Sequence, residues 1–506
     1  MGRSSPMRTI YVRERSFHTP ESLARMLGTG MDDAGRYIAL LCAHGVLRLR
    51  TGDEPREYDR VGTSATRGTY QFLYVGLTLV EDACFVVYPK YFPEIDPLCP
   101  DDTTRAAMRQ VFLVLRRSGG SYASIAAATE EGMRANDRLA LMFSLLEMYD
   151  EYGVYSNYVR TIADNGPGNI SWERTVAVNL PFVRGGRPIY FDCKTVETDS
   201  DASDFVTRLH RAVLTACSRF MQESGLASLL ALDEVWLSDA SVEDFGDAAF
   251  VAYRLERERA VQFVTWKQDV IDLLVRYVHN EGLEAVPDAP LCLGTSSFHH
   301  VWETACKVAF GDVLGVRLSG LGIELAPQFS RMAGTRLIDI IPRPEWAVLG
   351  TGEEWSCGEV DTLIPDIVTV RRVGRRAVAK GTRSAGGTER GTFAILDAKY
   401  YTPVLGERMG GVPGVESVTK QFLYQAAYRD FVLAHGFSRV VNAFLVPSCG
   451  DTVEHLGRVR FPGVIPAEEP PFSNEVDLYA LPAEAVFDAY VGGRELDAEL
   501  LLKVVG

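Results

Sequence analysis

Two short stretches of this sequence carry residue types and a spacing suited to work on a phosphodiester: Pro365-Asp366 and Asp397-Ala398-Lys399. The second closes the apolar run Phe393-Ala394-Ile395-Leu396, which reads as a strand. Side chains alternate along a strand, so Asp397 and Lys399 point one way while Leu396 and Ala398 point the other, into packing. An acid and a lysine on a core strand are tolerated only when paired or bound to a metal. Asp366 opens a second apolar run, Ile367-Val368-Thr369-Val370. If the two runs pair, their carboxylates meet at one end. Hard oxygen ligands of this kind suit Mg²⁺, which takes one or two carboxylates plus water, and Mn²⁺ accepts similar ligands. Lys399 would orient an attacking water and offset negative charge. The alternative for Asp397 and Lys399 is a surface ion pair with no chemistry.

Two neighbouring features fit a polyanionic substrate. Between the two acids lie Arg371, Arg372, Arg375, Arg376, Lys380, Arg383 and Arg390, opposed only by Glu389. Such a Gly/Ser/Thr-rich basic stretch either grips DNA phosphates, with Arg375 and Arg376 at its centre, or is a solvated hairpin tip. The helix expected over Val418–His435 places Gln421, Tyr424, Gln425 and Tyr428 on one stripe, next to Lys420. That stripe is expected to rim the site and touch phosphate, with Phe422, Leu423, Ala426, Ala427 and Phe431 on the buried side.

The elements that must hold these residues follow from patterning. Thr19 and Pro20 start a helix to Leu27, a second helix runs from Asp32 to His44, and Val46–Arg50 is a strand, an order like that of a winged helix. Tyr70–Val80 and Ala83–Tyr88 read as paired strands about Glu81-Asp82. Thr103–Arg117 is a helix with Met108, Val111, Phe112 and Leu115 on one stripe. Helices are expected at Asp137–Tyr152, Ser203–Glu223, Glu256–Glu281 and Ser297–Phe310. Strands are expected at Pro188–Phe191, Leu337–Ile341, Ile364–Val370, Phe393–Lys399 and Val440–Val446. This alternation predicts an α/β fold with a mixed sheet.

Bulk properties narrow the class. The 506 residues are 47% hydrophobic and carry a net charge of −15, so a chain coated in nucleic-acid-binding surface is excluded and any DNA contact is a local patch. None of the nine cysteines forms a CxxC pair, which argues against a zinc site and fits a reducing cytoplasm. No apolar run is long enough to span a membrane, and no GxxxxGK[ST] loop is present for nucleotide hydrolysis.

Taken together, these residues resemble the LlaJI family of restriction endonucleases, which are similar to the McrC subunit of McrBC-type systems. The resemblance rests on Ile364-Pro365-Asp366, Leu396-Asp397-Ala398-Lys399-Tyr400-Tyr401 and Lys420-Gln421-Phe422-Leu423-Tyr424-Gln425. Weaker matches are Tyr74-Val75-Gly76, Pro89-Lys90-Tyr91, Asn165-Gly166, Trp172-Glu173-Arg174-Thr175 and Phe298-His299-His300-Val301-Trp302-Glu303. It implies a PD-(D/E)xK nuclease core whose metal would sit on Asp366, Asp397 and Glu303, with Lys399 and Gln421 as further catalytic residues. Arg375, Arg376 and Lys420 would contact DNA. It also implies a McrB-like AAA+ GTPase as partner. The basic insertion between the two acids departs from a simple family pattern.

The resulting division is a winged-helix-like unit over 1–60, a small β/α unit over 61–120 and a mainly helical, partner-docking region over 121–285. A nuclease domain follows over 286–465, then a C-terminal helical extension over 466–506. The function expected is a Mg²⁺-dependent endodeoxyribonuclease subunit of a bacterial restriction system. The competing readings are a non-catalytic adaptor that bridges DNA or a motor, and a stand-alone nuclease that aborts infection by acting on RNA or host DNA.

Overall fold

The structure, a computed structural model, describes residues 7–50, 68–127, 137–201, 203–282, 290–347, 355–356, 362–372, 391–406, 409–466 and 468–506. Arg375 and Arg376 lie outside the described residues, as do Lys380, Arg383 and Arg390.

At the front, helices Pro20–Leu27 and Met31–Ala43 pack on a three-stranded sheet of Phe17–His18, Thr69–Phe72 and Leu47–Arg50. Thr19 caps the first helix by accepting the Ser22 N–H, with Pro20 at its first position, as the sequence signals. The expected long strand Tyr70–Val80 is broken in two. Thr69–Phe72 joins this small sheet, while Val75–Val80 turns into a four-stranded sheet with Arg8–Arg13, Ala83–Tyr88 and Leu291–Thr295. Gly76 and Gly294 face each other in that sheet, and a methyl group on either would strike the backbone across from it. The sheet thus draws strands from three segments that the sequence reading kept apart.

A helical bundle follows, formed by Asp102–Gly119, Asp137–Tyr152, Phe205–Glu223, Ala248–Val261 and Thr265–Gly282. Met108, Val111, Phe112 and Leu115 are all buried, as their stripe predicts. The single helix expected over Glu256–Glu281 is two, separated at Gln262-Phe263-Val264. From the bundle projects a small β unit over 158–200, with a three-stranded sheet, a two-stranded hairpin and the helix Trp172–Val178. Its apolar side chains stay outside the buried clusters: Leu180 is 97% exposed and Phe191 74%.

The back half is built on a five-stranded mixed sheet in the order Ile367–Arg372, Gly391–Ala398, Arg439–Ser448, Glu475–Pro482, Glu454–Arg460. The outer pairs are antiparallel and the inner pairs parallel. The parallel step from Gly391–Ala398 to Arg439–Ser448 needs a crossover, supplied by helices Val415–Ala427 and Arg429–Ala434. These cover one face, packing on Phe393, Ile395 and Val440. Helices Phe298–Ala309 and Ala483–Gly492 cover the other, packing on Ala394, Leu396 and Leu445. Three expectations change. Leu337–Ile340 is a 3-10 turn, not a strand. The helix expected over Val418–His435 is interrupted at Tyr428. Residues 466–506 are not only a helical extension, because Glu475–Pro482 is an internal strand of this sheet.

Candidate active site at the end of the mixed sheet

The register puts the two acids together. Ile367 pairs with Leu396 in the antiparallel ladder, so one step further Asp366 stands opposite Asp397. Asp366 Oδ2 accepts the Ala398 N–H at 3.1 Å, which fixes its carboxyl at the strand end. Asp312 Oδ1 accepts the Val368 N–H at 2.9 Å, satisfying the outer side of this edge strand. Lys399 continues the neighbouring ladder, its N–H donating to Leu445 O at 2.8 Å. As alternation requires, Asp397 and Lys399 lie on the face shared by Phe393 and Ile395, under helix Val415–Ala427. Lys399 Nζ lies 2.6 Å from Asp397 Oδ1, with the acid side chain only 7% exposed.

Burial dominates the electrostatics. It pushes the Asp366 carboxyl up to about 8, reinforced by a hydrogen bond with Asp397 and by the charges of Asp397 and Glu303. The pair therefore holds one proton near neutral pH. Burial alone would lower the Lys399 ammonium, but the ion pair with Asp397, with Asp366 and Tyr401 behind it, holds it above the usual lysine range. Two acidic groups brought together away from bulk water repel each other unless one carries a proton or a cation lies between them. Among the described residues, no three His, Cys, Asp or Glu side chains converge as a protein metal cage. The donor set instead fits a cation held by two carboxylates and completed by water or substrate oxygens.

Glu303 occupies the expected helix, on the opposite face of the sheet, but does not complete a trio of ligands. Its Oε1 is paired with Lys307 Nζ at 2.6 Å, and it acts on Asp366 only through its charge. The polar stripe of the next helix corrects the expectation more strongly. Gln421, Tyr424, Gln425 and Tyr428 are all buried, while Leu423 and Ala426 are turned outward. Gln421 is fully buried, and neither its Oε1 nor its Nε2 has a hydrogen-bond partner. Lys420 is half-exposed and paired with Glu416 at 2.6 Å, close enough to the site for Glu416 to feel the Lys399 charge.

Three further groups, Tyr424, Asn442 and Tyr400, complete the surroundings. Tyr424 OH donates to Ile364 O at 2.9 Å and so pins the segment that carries Asp366. Burial, with the charges of Asp397 and Asp366, pushes its phenol up to about 12. Asn442, opposite Ile395, donates to Gln421 O at 3.1 Å. Tyr400 reaches across to the front sheet, where its OH donates to Glu14 Oε2 at 2.5 Å and its ring lies 4.4 Å from Lys90 Nζ. Only the Pro89-Lys90-Tyr91 motif had signalled this region.

The profile of the LlaJI restriction endonuclease family matches residues 74–316 and 382–468, more than half of the chain. The chain belongs to this family. Glu303, Asp397, Lys399 and Gln421 fall inside the matched segments, whereas Asp366 falls between them. The type II restriction enzyme BsuMI component YdjA of Bacillus subtilis (strain 168) is 26% identical over 357 residues, covering 70% of this chain and 66% of that protein. Solved structures match loosely. A chain of the half-complex of Thermococcus gammatolerans McrB AAA+ hexamers with bound McrC aligns over 96% of this chain and 99% of its own, at 12% identity and a TM-score of 0.32. One of the McrBC complex from the same organism aligns over 53% and 79%, at 15% identity and a TM-score of 0.21.

Proposed function

We propose that this LlaJI-family protein is the DNA-cutting subunit of a restriction system, with a PD-(D/E)xK core centred on Asp366, Asp397 and Lys399. The observation that carries this reading is the half-buried Asp366 set opposite the buried Asp397 at one strand end, with Lys399 2.6 Å from Asp397. Asp366 and Asp397 would hold Mg²⁺, or Mn²⁺ in its place. The ion would supply a more acidic water and stabilise charge on the phosphodiester. Both carboxyl groups would hold the ion as carboxylates, so the proton favoured by Asp366 would leave when it binds. Lys399, beside Asp397, would orient the attacking water and meet the charge that develops on the phosphate. Glu303 tunes the site through its charge. Gln421 offers an unsatisfied amide, and Lys420, with Arg375 and Arg376, supplies phosphate contacts beyond the cut.

The partner in this reading is a McrB-like AAA+ GTPase. The β unit over 158–200 would be the docking element, because Trp172, Leu180, Phe182, Val183 and Phe191 are exposed together on one small projection. The helices Pro20–Leu27 and Met31–Ala43 with their sheet would form a winged-helix-like unit. The deciding experiment is plasmid cleavage in Mg²⁺ by wild type and Asp397→Ala, with and without a McrB-like GTPase. Cutting is expected only with Asp397 intact. An equally active Asp397→Ala protein of unchanged fold would refute the site.

A further inference from the structure

Where the front sheet meets the nuclease core there is a cavity of about 430 Å³, within the size range of ligand sites. Its wall includes Arg13, Arg15, His18 and Lys90 from the front unit and Thr402 from the core. The chain from Lys399 through Tyr400 and Tyr401 to Thr402 links it to the candidate active site, a span of at most about 10 Å. Lys90 borders both, since it lines the cavity and also lies over the Tyr400 ring.

The wall mixes apolar side chains with several cations, and one of its donors asks for an acceptor. Arg13 Nη2 pairs with Glu94 at 2.6 Å, but Nη1 is buried with no hydrogen-bond partner among the described residues. A buried donor left unsatisfied is costly, and a guanidinium offers a fork that fits phosphate oxygens. Of the two acids in the wall, Glu14 is held by Tyr400 OH and the Lys90 N–H, and Glu94 is largely exposed and opens outward. With Glu14 4.0 Å from Arg15 and Glu94 paired with Arg13, the three cations Arg13, Arg15 and Lys90 exceed the two acids of the wall by one. Burial pushes the His18 imidazole down to about 4, so it adds no charge at neutral pH. The turn that presents these groups is rigid: Arg15 takes a positive φ of 62°, its N–H donates to Phe72 O at 2.8 Å, and Ser16 Oγ donates to Arg13 O at 2.6 Å.

We infer that this cavity is a phosphodiester subsite, in which Arg13 and Lys90 hold a phosphate of the substrate strand a few nucleotides from the bond being cut. The front unit then serves as part of the DNA clamp and sets the register of cleavage. This inference rests on the nuclease reading above.

The test is duplex binding by fluorescence anisotropy with Ca²⁺ in place of Mg²⁺, across a salt series, for wild type, Arg13→Gln, Lys90→Gln and Arg13→Lys. Thermal melts check that each variant is folded. Arg13→Gln and Lys90→Gln are expected to weaken binding about tenfold, and each to reduce the salt slope by about one. Arg13→Lys, which keeps the charge, is expected to retain the slope. Inorganic phosphate should raise the melting temperature of wild type but not of Arg13→Gln. If wild type binds and cuts DNA while both glutamine variants keep its affinity and salt slope, the subsite is refuted and the nuclease reading stands. If phosphate protection depends on Arg13 while DNA affinity does not, the cavity takes a free anion and the strand assignment is wrong. A wild type that neither binds nor cuts DNA overturns both.

Discussion

The proton held by Asp366 makes a test that needs no substrate. Its carboxyl sits at about 8 in the folded protein, against about 3.9 in an unfolded chain. Folding therefore takes up a proton between these values. This contribution to stability is fully present below about pH 4 and is lost as pH rises towards 8. At 1.36 kcal/mol per unit, keeping Asp366 protonated in the fold at pH 7 costs at most about 4 kcal/mol of stability relative to pH 4. Sharing of the proton with Asp397 and partial solvent access bring the expected cost to about 2 kcal/mol. Asp366→Asn keeps an acceptor for the Ala398 N–H and adds a neutral donor towards Asp397. In EDTA, urea melts should show Asp366→Asn more stable than wild type by about 2 kcal/mol at pH 7.5, with the gap shrinking steadily towards pH 5. Titration calorimetry should then show wild type releasing about one proton on taking up Mg²⁺ at pH 7, and the variant releasing none. A variant less stable than wild type at pH 7.5, or a gap that does not change with pH, would refute the protonated pair.

Three further outcomes follow from the neighbours of this pair. Gln421→Met removes a fully buried amide with no partners, so thermal melts should show a gain of about 1–2 kcal/mol while DNA cleavage falls; lost stability would mean that the amide is satisfied in solution. Tyr424→Phe deletes the bond to Ile364 O, costing about 1 kcal/mol in urea melts and weakening Mg²⁺ binding, because the Asp366 segment is no longer pinned. Neutralising Arg375 and Arg376 together should weaken DNA binding and flatten its salt dependence, and an unchanged slope would leave that stretch a bystander.

Much of the site was legible in the chain itself. The alternation Phe393, Ile395, Asp397, Lys399 is a local property of one strand, and the structure keeps it. The pairing that sets Asp366 against Asp397 needed only two apolar runs of similar length with an acid at matching ends. Cap signals such as Thr19-Pro20 and the stripe Met108, Val111, Phe112, Leu115 also act within one element.

What periodicity cannot say is which face of an element another element will cover. The stripe of Gln421, Tyr424, Gln425 and Tyr428 looks solvent-facing because it is polar, yet the sheet lies beneath it. Tyr424, Gln425 and Tyr428 find backbone acceptors there that no local pattern reveals. Glu303 shares a helix with Lys307 four residues on, and that nearby cation engages its carboxylate. The strand Glu475–Pro482 enters the sheet between segments earlier in the chain, and Leu291–Thr295 returns to pair near the start, so neither boundary shows in composition. The meeting of Tyr400 with Glu14 and Lys90 joins residues more than three hundred positions apart. The sequence by itself determined that Asp397 and Lys399 share a strand face and that Asp366 stands at the matching end of a second run, because strand alternation and residue type act over a few residues. Tertiary structure alone decided the protonation of Asp366, the burial of Gln421 and the cavity at Arg13, because each depends on the burial and charge that distant segments bring together.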